Sequence, residues 1–206
     1  MTLVPESQLS QYSLAIMPSP PIAEMVKDLK LSLRAEIGKS YGSANADAHI
    51  SLDGFEADDD NYPYILAEYR RVVSGLAPFT ITFSGFGDFD RGNFSAFYVR
   101  PTDESSVAIR ERTEEVMKSF DKKLKKQFTR KWADESKNPH MSVGRRLTRE
   151  WVALAYSLFP GFEESFLCDA FVIRKFNEKR RQYEVVDVLP LLGGGAPPVQ
   201  LDLFQP

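Results

Sequence analysis

The feature that most constrains the fold is an internal repeat. Tyr12–Met17 (YSLAIM) is short, apolar and stopped by Pro18, which reads as a strand. Pro20 and Pro21 open a helix; Ile22, Met25, Val26, Leu29, Leu33 and Ile37 follow helical spacing, and Gly38 ends it. A Gly/Ser/Asn-rich loop leads to a second strand, Ala48–Leu52 (AHISL). Asn61 reads as an N-cap with Pro63 just inside a helix. Ile65, Leu66, Tyr69, Val72 and Val73 form its apolar face and Gly75 its stop. Phe79–Phe83 then alternates like a strand.

The second half repeats the plan. Phe94–Val99 is a strand stopped by Pro101. The pattern predicts one helix from about Ser105 to Lys131, with Val116, Met117, Phe120, Leu124 and Phe128 on one face. The strand His140–Gly144 (HMSVG) follows. Thr148 caps a helix running to about Leu158, broken by Pro160-Gly161. Phe166–Arg174 and Gln182–Leu189 read as a closing hairpin. His49-Ile50-Ser51-Leu52 matches His140-Met141-Ser142-Val143, and each is followed by a helix and another apolar strand about 30 positions later. The expectation is an α+β chain of two related lobes, about 12–90 and 94–191, whose pseudo-twofold axis brings the two histidine strands together. Residues 1–192 read as one bilobal domain and 193–206 as a flexible tail.

Composition narrows the options. A length of 206 residues suffices for one good core or two small lobes sharing one. With a net charge of −3, no global basic field points to nucleic acid, so phosphate binding must come from a local site. Cys168 is the single cysteine, in an apolar run, and reads as a buried inert thiol. One cysteine and two histidines make a poor zinc ligand set, and Asp58, Asp59 and Asp60 read as a solvated loop rather than a metal site. Neither a secretory leader nor a membrane-length apolar run is present, so a cytoplasmic location and a monomer are the defaults.

The repeated H-x-S carries chemistry. In a strand, residues i and i+2 share a face, so His49 projects with Ser51 and His140 with Ser142, while Ile50, Leu52, Met141 and Val143 point into packing. Two facing motifs give a cleft with two imidazoles and two hydroxyls. One neutral imidazole can accept a proton from the attacking oxygen while the other, protonated, donates to the leaving oxygen; histidine populates both forms near neutrality. The hydroxyls can hold non-bridging phosphate oxygens. No metal or cofactor is needed. A lone histidine is more often a surface or satisfied core residue, but these are the chain's only two, and both match by accident on the order of once in a few hundred chains.

These paired H-x-[ST]-apolar motifs, their strand context and the duplicated plan resemble the 2H phosphoesterase superfamily and, within it, the 2'-5' RNA ligase-like proteins. The resemblance covers about Tyr12 to Leu191. Asn138-Pro139-His140-Met141-Ser142-Val143 is similar to the family's Pro-His-x-Thr apolar segment, YSLAIMP to its opening strand and Tyr183–Leu189 to its closing one. Both motifs carry Ser where Thr is commoner. The resemblance implies a bilobal fold with two antiparallel sheets, flanking helices and a central cleft. It implies hydrolysis of a cyclic phosphodiester, typically a 2',3'-cyclic phosphate of a nucleotide or RNA end, and in some members the reverse joining through a 2'-5' bond. His49 and His140 would carry the acid–base roles and Ser51 and Ser142 the phosphate. Which histidine is acid and which is base stays open.

Arg145, five residues after His140, could reach a phosphate, and Arg146 stands beside it. Tyr12, Phe86 and Phe89 are candidates to line the cleft or stack a base, against a core role for each. Lys118, Lys122, Lys123, Lys125, Lys126, Arg130 and Lys131 form a basic cluster that could steer RNA, against a plain solvated helix face. In the tail, Gln200-Leu201-Asp202-Leu203-Phe204 resembles the bacterial sliding-clamp-binding peptide, which implies a clamp partner through Gln200, Leu201, Leu203 and Phe204; the alternative is a segment folded onto its own domain. The rival functional class is a non-catalytic module that binds a nucleotide or RNA end in the same cleft.

Overall fold

The computed structural model describes residues 9–90, 92–128 and 137–194. Its elements run β1 (Ser10–Ile16), α1 (Pro20–Ile37), β2 (Ile50–Ala57), α2 (Tyr62–Val73), β3 (Phe79–Asp90), β4 (Ser95–Pro101), α3 (Asp103–Ser119), α4 (Lys122–Phe128), β5 (Met141–Leu147), α5 (Arg149–Leu158), β6 (Glu163–Cys168), β7 (Ala170–Asn177) and β8 (Gln182–Pro190). The chain is α+β, with its strands in the order β6-β3-β4-β5-β2-β1-β7-β8 and every pairing antiparallel. Four strands lie on each side of the β5–β2 boundary, and the two sets meet through one residue pair, Ile50 with Met141.

Each half of the sheet draws strands from both sequence repeats. β3, from the first repeat, pairs with β4 and β6; β7, from the second, pairs with β1. The stretch expected as one strand, Phe166–Arg174, is therefore two. Asp169 alone separates β6, at one edge, from β7, beside the opposite edge. Six strand spacings would set β6 and β7 about 29 Å apart in a flat sheet, whereas residues 168 and 170 span at most about 7 Å. The sheet must curl to bring its ends together.

Local chemistry accounts for most boundaries. Pro20 and Pro21 start α1, and Gly38, at φ 72°, takes the left-handed turn that ends it. Thr102 and Thr148 cap α3 and α5 through Ser105 N–H and Trp151 N–H. The single helix expected from Ser105 to Lys131 breaks at Phe120-Asp121, because the Asp121 carboxylate accepts the N–H groups of Lys123 and Leu124 and caps α4 anew. Asn61 does not cap α2; it is itself helical, and the Asp58 carboxylate accepts its backbone and side-chain N–H groups. The stop falls at Ser74, one residue before Gly75.

One core joins the sheet to the helices. It includes Leu14, Ile16, Ile50, Leu52, Met141 and Val143 from the central strands, with Val26 and Leu33 of α1 and Val152 of α5. The motif residues out of phase with these point to the opposite face. Cys168 is buried, and that burial pushes its thiol up to about 12. Among the described residues, no helix is long and apolar enough to cross a membrane. Residues 129–136 and the tail from 195 onward, with Arg130, Lys131 and the QLDLF segment, lie outside the described residues.

Candidate active site

His49 and His140 each stand immediately before a strand, β2 and β5, rather than inside it. The antiparallel register of Ile50 with Met141 sets His49 opposite Ser142 and Ser51 opposite His140. The two motifs thus meet crosswise, as a twofold axis between β2 and β5 requires. All four side chains line one cleft of about 950 Å³.

Each imidazole has the same backbone anchor. His49 Nδ1 lies 2.7 Å from the Asp47 carbonyl oxygen, and His140 Nδ1 lies 2.8 Å from that of Asn138, in both cases two residues upstream. A carbonyl only accepts, so each Nδ1 carries the hydrogen and Nε2 is the nitrogen that exchanges protons. The anchors rest on buried residues, Ala48 and Pro139, which fix the turn into each strand.

The surroundings differ. His49 is pulled well below the usual histidine range by burial, then by the charge of Arg174, with Lys30 and His140 adding to it; the Asp47 carbonyl opposes. Lys30 projects from α1, is itself buried, and donates to the Ala46 carbonyl; burial brings it down to about 8. His140 faces rings instead. Phe89 lies edge-on to it at 5.0 Å and Tyr98 at 5.2 Å, and those two rings stack at 4.4 Å. Gly87 makes room for this wall, because a Cβ there would stand 2.7 Å from the Tyr98 ring.

The other expected residues divide. Arg145 and Phe89 line the cleft. Arg145 N–H donates to the Gly42 carbonyl, tying the loop after α1 to β5, and a Cβ on Gly42 would come within 2.8 Å of the Arg145 carbonyl oxygen. Arg146 also lines the cleft, with φ 58°. Phe86 does not: Phe86 and Phe89 are three apart on β3, so they face opposite ways, and Phe86 packs on Phe97, Phe159 and Phe162. Tyr12 does not either. It shares a face of β1 with Leu14 and Ile16 and stacks between Phe55 and Tyr62, while Ser13 takes the cleft side. Lys118, Lys122, Lys123, Lys125 and Lys126 are not among the cleft residues. Asp59 pairs with Lys175, and no cluster of three or more His, Cys, Asp or Glu suited to a metal occurs among the described residues.

Sequence reasoning missed Lys30, Arg174, Arg180 and Arg181, all of which line the cleft. Lys30 left a signal: Ile22, Val26, Lys30 and Leu33 are the buried residues of α1 and share one helical face, so a lysine interrupts the apolar stripe. Arg174 likewise interrupts the apolar run of β7.

Comparison with known proteins gives the family and the fold. The sequence model of the 2'-5' RNA ligase superfamily matches residues 18–180. No curated protein matches the chain in sequence. Among solved structures, TT0787 of Thermus thermophilus is similar over 90% of this chain and 100% of its own, at 17% identity and TM-score 0.62. E. coli LigT complexed with 3'-AMP is similar over 90% and 99%, at 15% identity and TM-score 0.57. Usb1 of Kluyveromyces marxianus is similar over 89% and 97%, at 11% identity and TM-score 0.50. At these identities the structures establish a shared fold, and the family match covers most of the chain: this protein belongs to the 2'-5' RNA ligase superfamily of 2H phosphoesterases.

Proposed function

We propose that the protein is a metal-independent phosphodiesterase that opens a 2',3'-cyclic phosphate on a nucleotide or RNA end. The observation that carries this reading is the matched pair of imidazoles, each with Nδ1 on a backbone carbonyl and each beside a serine, in one cleft. Membership of a phosphoesterase superfamily supports it, as do the similar LigT structures complexed with 3'-AMP and with ATP.

In this mechanism His49 is the base. Burial and the neighbouring cations hold it neutral, so its Nε2 can take a proton from water as the water oxygen attacks phosphorus. His140 carries the proton. Its Nε2–H donates to the ribose oxygen as the P–O bond breaks, giving a phosphomonoester and a free hydroxyl. Ser51, Ser142 and Arg145 hold the non-bridging oxygens. With the 5'-hydroxyl of a second RNA end attacking phosphorus in place of water, and the 3'-oxygen leaving, the same groups would join the two ends through a 2'-5' bond, each histidine keeping its role.

The test is turnover of 2',3'-cyclic nucleotides and of RNA ending in a cyclic phosphate, with EDTA present. Multiple turnover to a monoester is expected. Tight binding without turnover would instead identify a non-catalytic module, and activity abolished by EDTA would exclude the metal-free mechanism.

A further inference from the structure

The proposed reaction uses two histidines, two serines and one arginine, yet the cleft holds more cationic charge than one phosphate needs. Lys30, Arg145, Arg146, Arg174, Arg180 and Arg181 line it, against a single carboxylate, Asp47. They gather in a chain whose net charge is −3. The rim arginines could be solvated, but Arg174 is 4% exposed.

Arg174 lies on β7 directly opposite Ser13 of β1. Its Nη2 donates to Ser13 Oγ at 3.1 Å, and its guanidinium carbon stands 5.3 Å from the centre of the Tyr183 ring. Its Nε is buried with no hydrogen-bond partner, and it forms no ion pair with a carboxylate among the described residues. The Asp47 carboxylate of the same cleft acts on it without an ion-pair contact, so burial of the guanidinium is costly, and an arriving anion would offset that cost. Ser13 can complete such a site, since its oxygen accepts from Arg174 while its own O–H remains to donate.

The position differs from that of the H-x-S motifs. Ala15 opposes Ser51 on β2, and Ser13 is two residues further along β1. Strand geometry then sets the Cα atoms of Ser13 and Arg174 about 8 Å and about 12 Å from that of Ser51. We propose that Arg174 and Ser13 form a second anion subsite, which takes a phosphate of the substrate other than the one attacked at the histidines. The substrate class becomes a cyclic phosphodiester that bears a further phosphate; on an RNA end this is the 5'-phosphate of the terminal nucleotide. Arg181, on the turn between β7 and β8, extends the same basic wall outward, beside Arg180, which is paired with Glu184 at 2.6 Å. This assignment rests on the phosphodiesterase reading for its chemistry, but its binding test does not.

Two compounds decide it: adenosine 2',3'-cyclic phosphate with and without a 5'-phosphate. The parent protein should prefer the 5'-phosphorylated one in kcat/KM. Arg174→Gln should reduce that preference about tenfold to hundredfold, mainly through KM, the range expected for a charged hydrogen-bonded contact. Arg174→Lys should retain part of it. Ser13→Ala, a smaller change, should weaken the preference in the same direction, and thermal melting checks that each variant is folded. An equal loss on both compounds, or an unchanged ratio, would overturn the subsite. Calorimetry with adenosine 3'-monophosphate and adenosine 3',5'-bisphosphate gives the same comparison without turnover. A bisphosphate advantage lost in Arg174→Gln supports the subsite; no advantage in the parent overturns it. Failure of the parent to hydrolyse either cyclic compound would count against the reaction alone.

Discussion

Around His49 the cleft is cationic, with Lys30 rising from α1 and Arg174 from β7. Around His140 it is aromatic, with Phe89 on β3 and Tyr98 on β4. The backbone anchors of the two imidazoles differ by only 0.1 Å, from 2.7 to 2.8 Å, and each has a serine two residues on. A duplicated motif therefore supplies two equivalent groups, and the unequal neighbours distinguish them. Cations and burial favour the neutral form at His49, which suits a base. Acid–base catalysis at one phosphate needs that inequality, because two imidazoles in the same protonation state would supply only half of the reaction.

Removing either histidine is the most severe disruption of the pair. His49→Ala and His140→Ala should each lower kcat on a 2',3'-cyclic nucleotide by about 10²–10⁴-fold, measured by steady-state kinetics. Replacing a wall residue is milder. Phe89→Leu removes a ring that can hold a base, and KM should rise about tenfold; a loss confined to kcat would show instead that the ring acts by orienting His140. The cationic side is probed through pH. The acid limb of kcat/KM should lie below the ordinary histidine range, since His49 is pulled down. Lys30→Met removes one of the charges that lowers it, so the limb should move to higher pH, by less than about one unit because burial and Arg174 remain.

The smallest effect concerns stability. Unfolded His49 takes up a proton near its ordinary value of about 6.5, whereas the folded chain resists it. The unfolded state thus binds more protons between the two values, and His49's contribution must make stability fall as pH drops below about 6.5. His49→Gln should flatten that part of the curve in denaturant titrations across pH.

The order of elements and the H-x-S pair were legible because they rest on local signals: apolar alternation, proline and glycine stops, and Thr148 before its helix. Two failures of the same kind show where local reading ends. Phe166–Arg174 reads as one strand because nothing in FLCDAFVIR marks a turn; only the partners of Cys168 and Ala170, on opposite sides of the sheet, divide it. Tyr12 and Phe86 read as cleft aromatics because composition does not tell which face a strand residue takes; the phase with Leu14 settles Tyr12, and a register shift between Phe83 and Phe86, which no local signal marks, puts Phe86 on the core side with Phe83 against Phe162. Lys30 and Arg174 were missed for a different reason. Each breaks an apolar pattern, and a pattern search discounts such breaks, although two buried cations that share one nearby carboxylate, Asp47, are a strong sign of a site.

The exchange of strands between the repeats also sets a schedule for synthesis. Ser13 and Arg174 are 161 positions apart, and β1 remains without one of its two neighbours until β7 exists. The first repeat leaves the ribosome with both edges of its β1–β2 ribbon open, so the cleft closes only after more than four-fifths of the chain has been made. Such a long-range contact is slow to form. The nascent first half is the stage at which a chaperone, or a misplaced strand from another chain, has its best opportunity to bind.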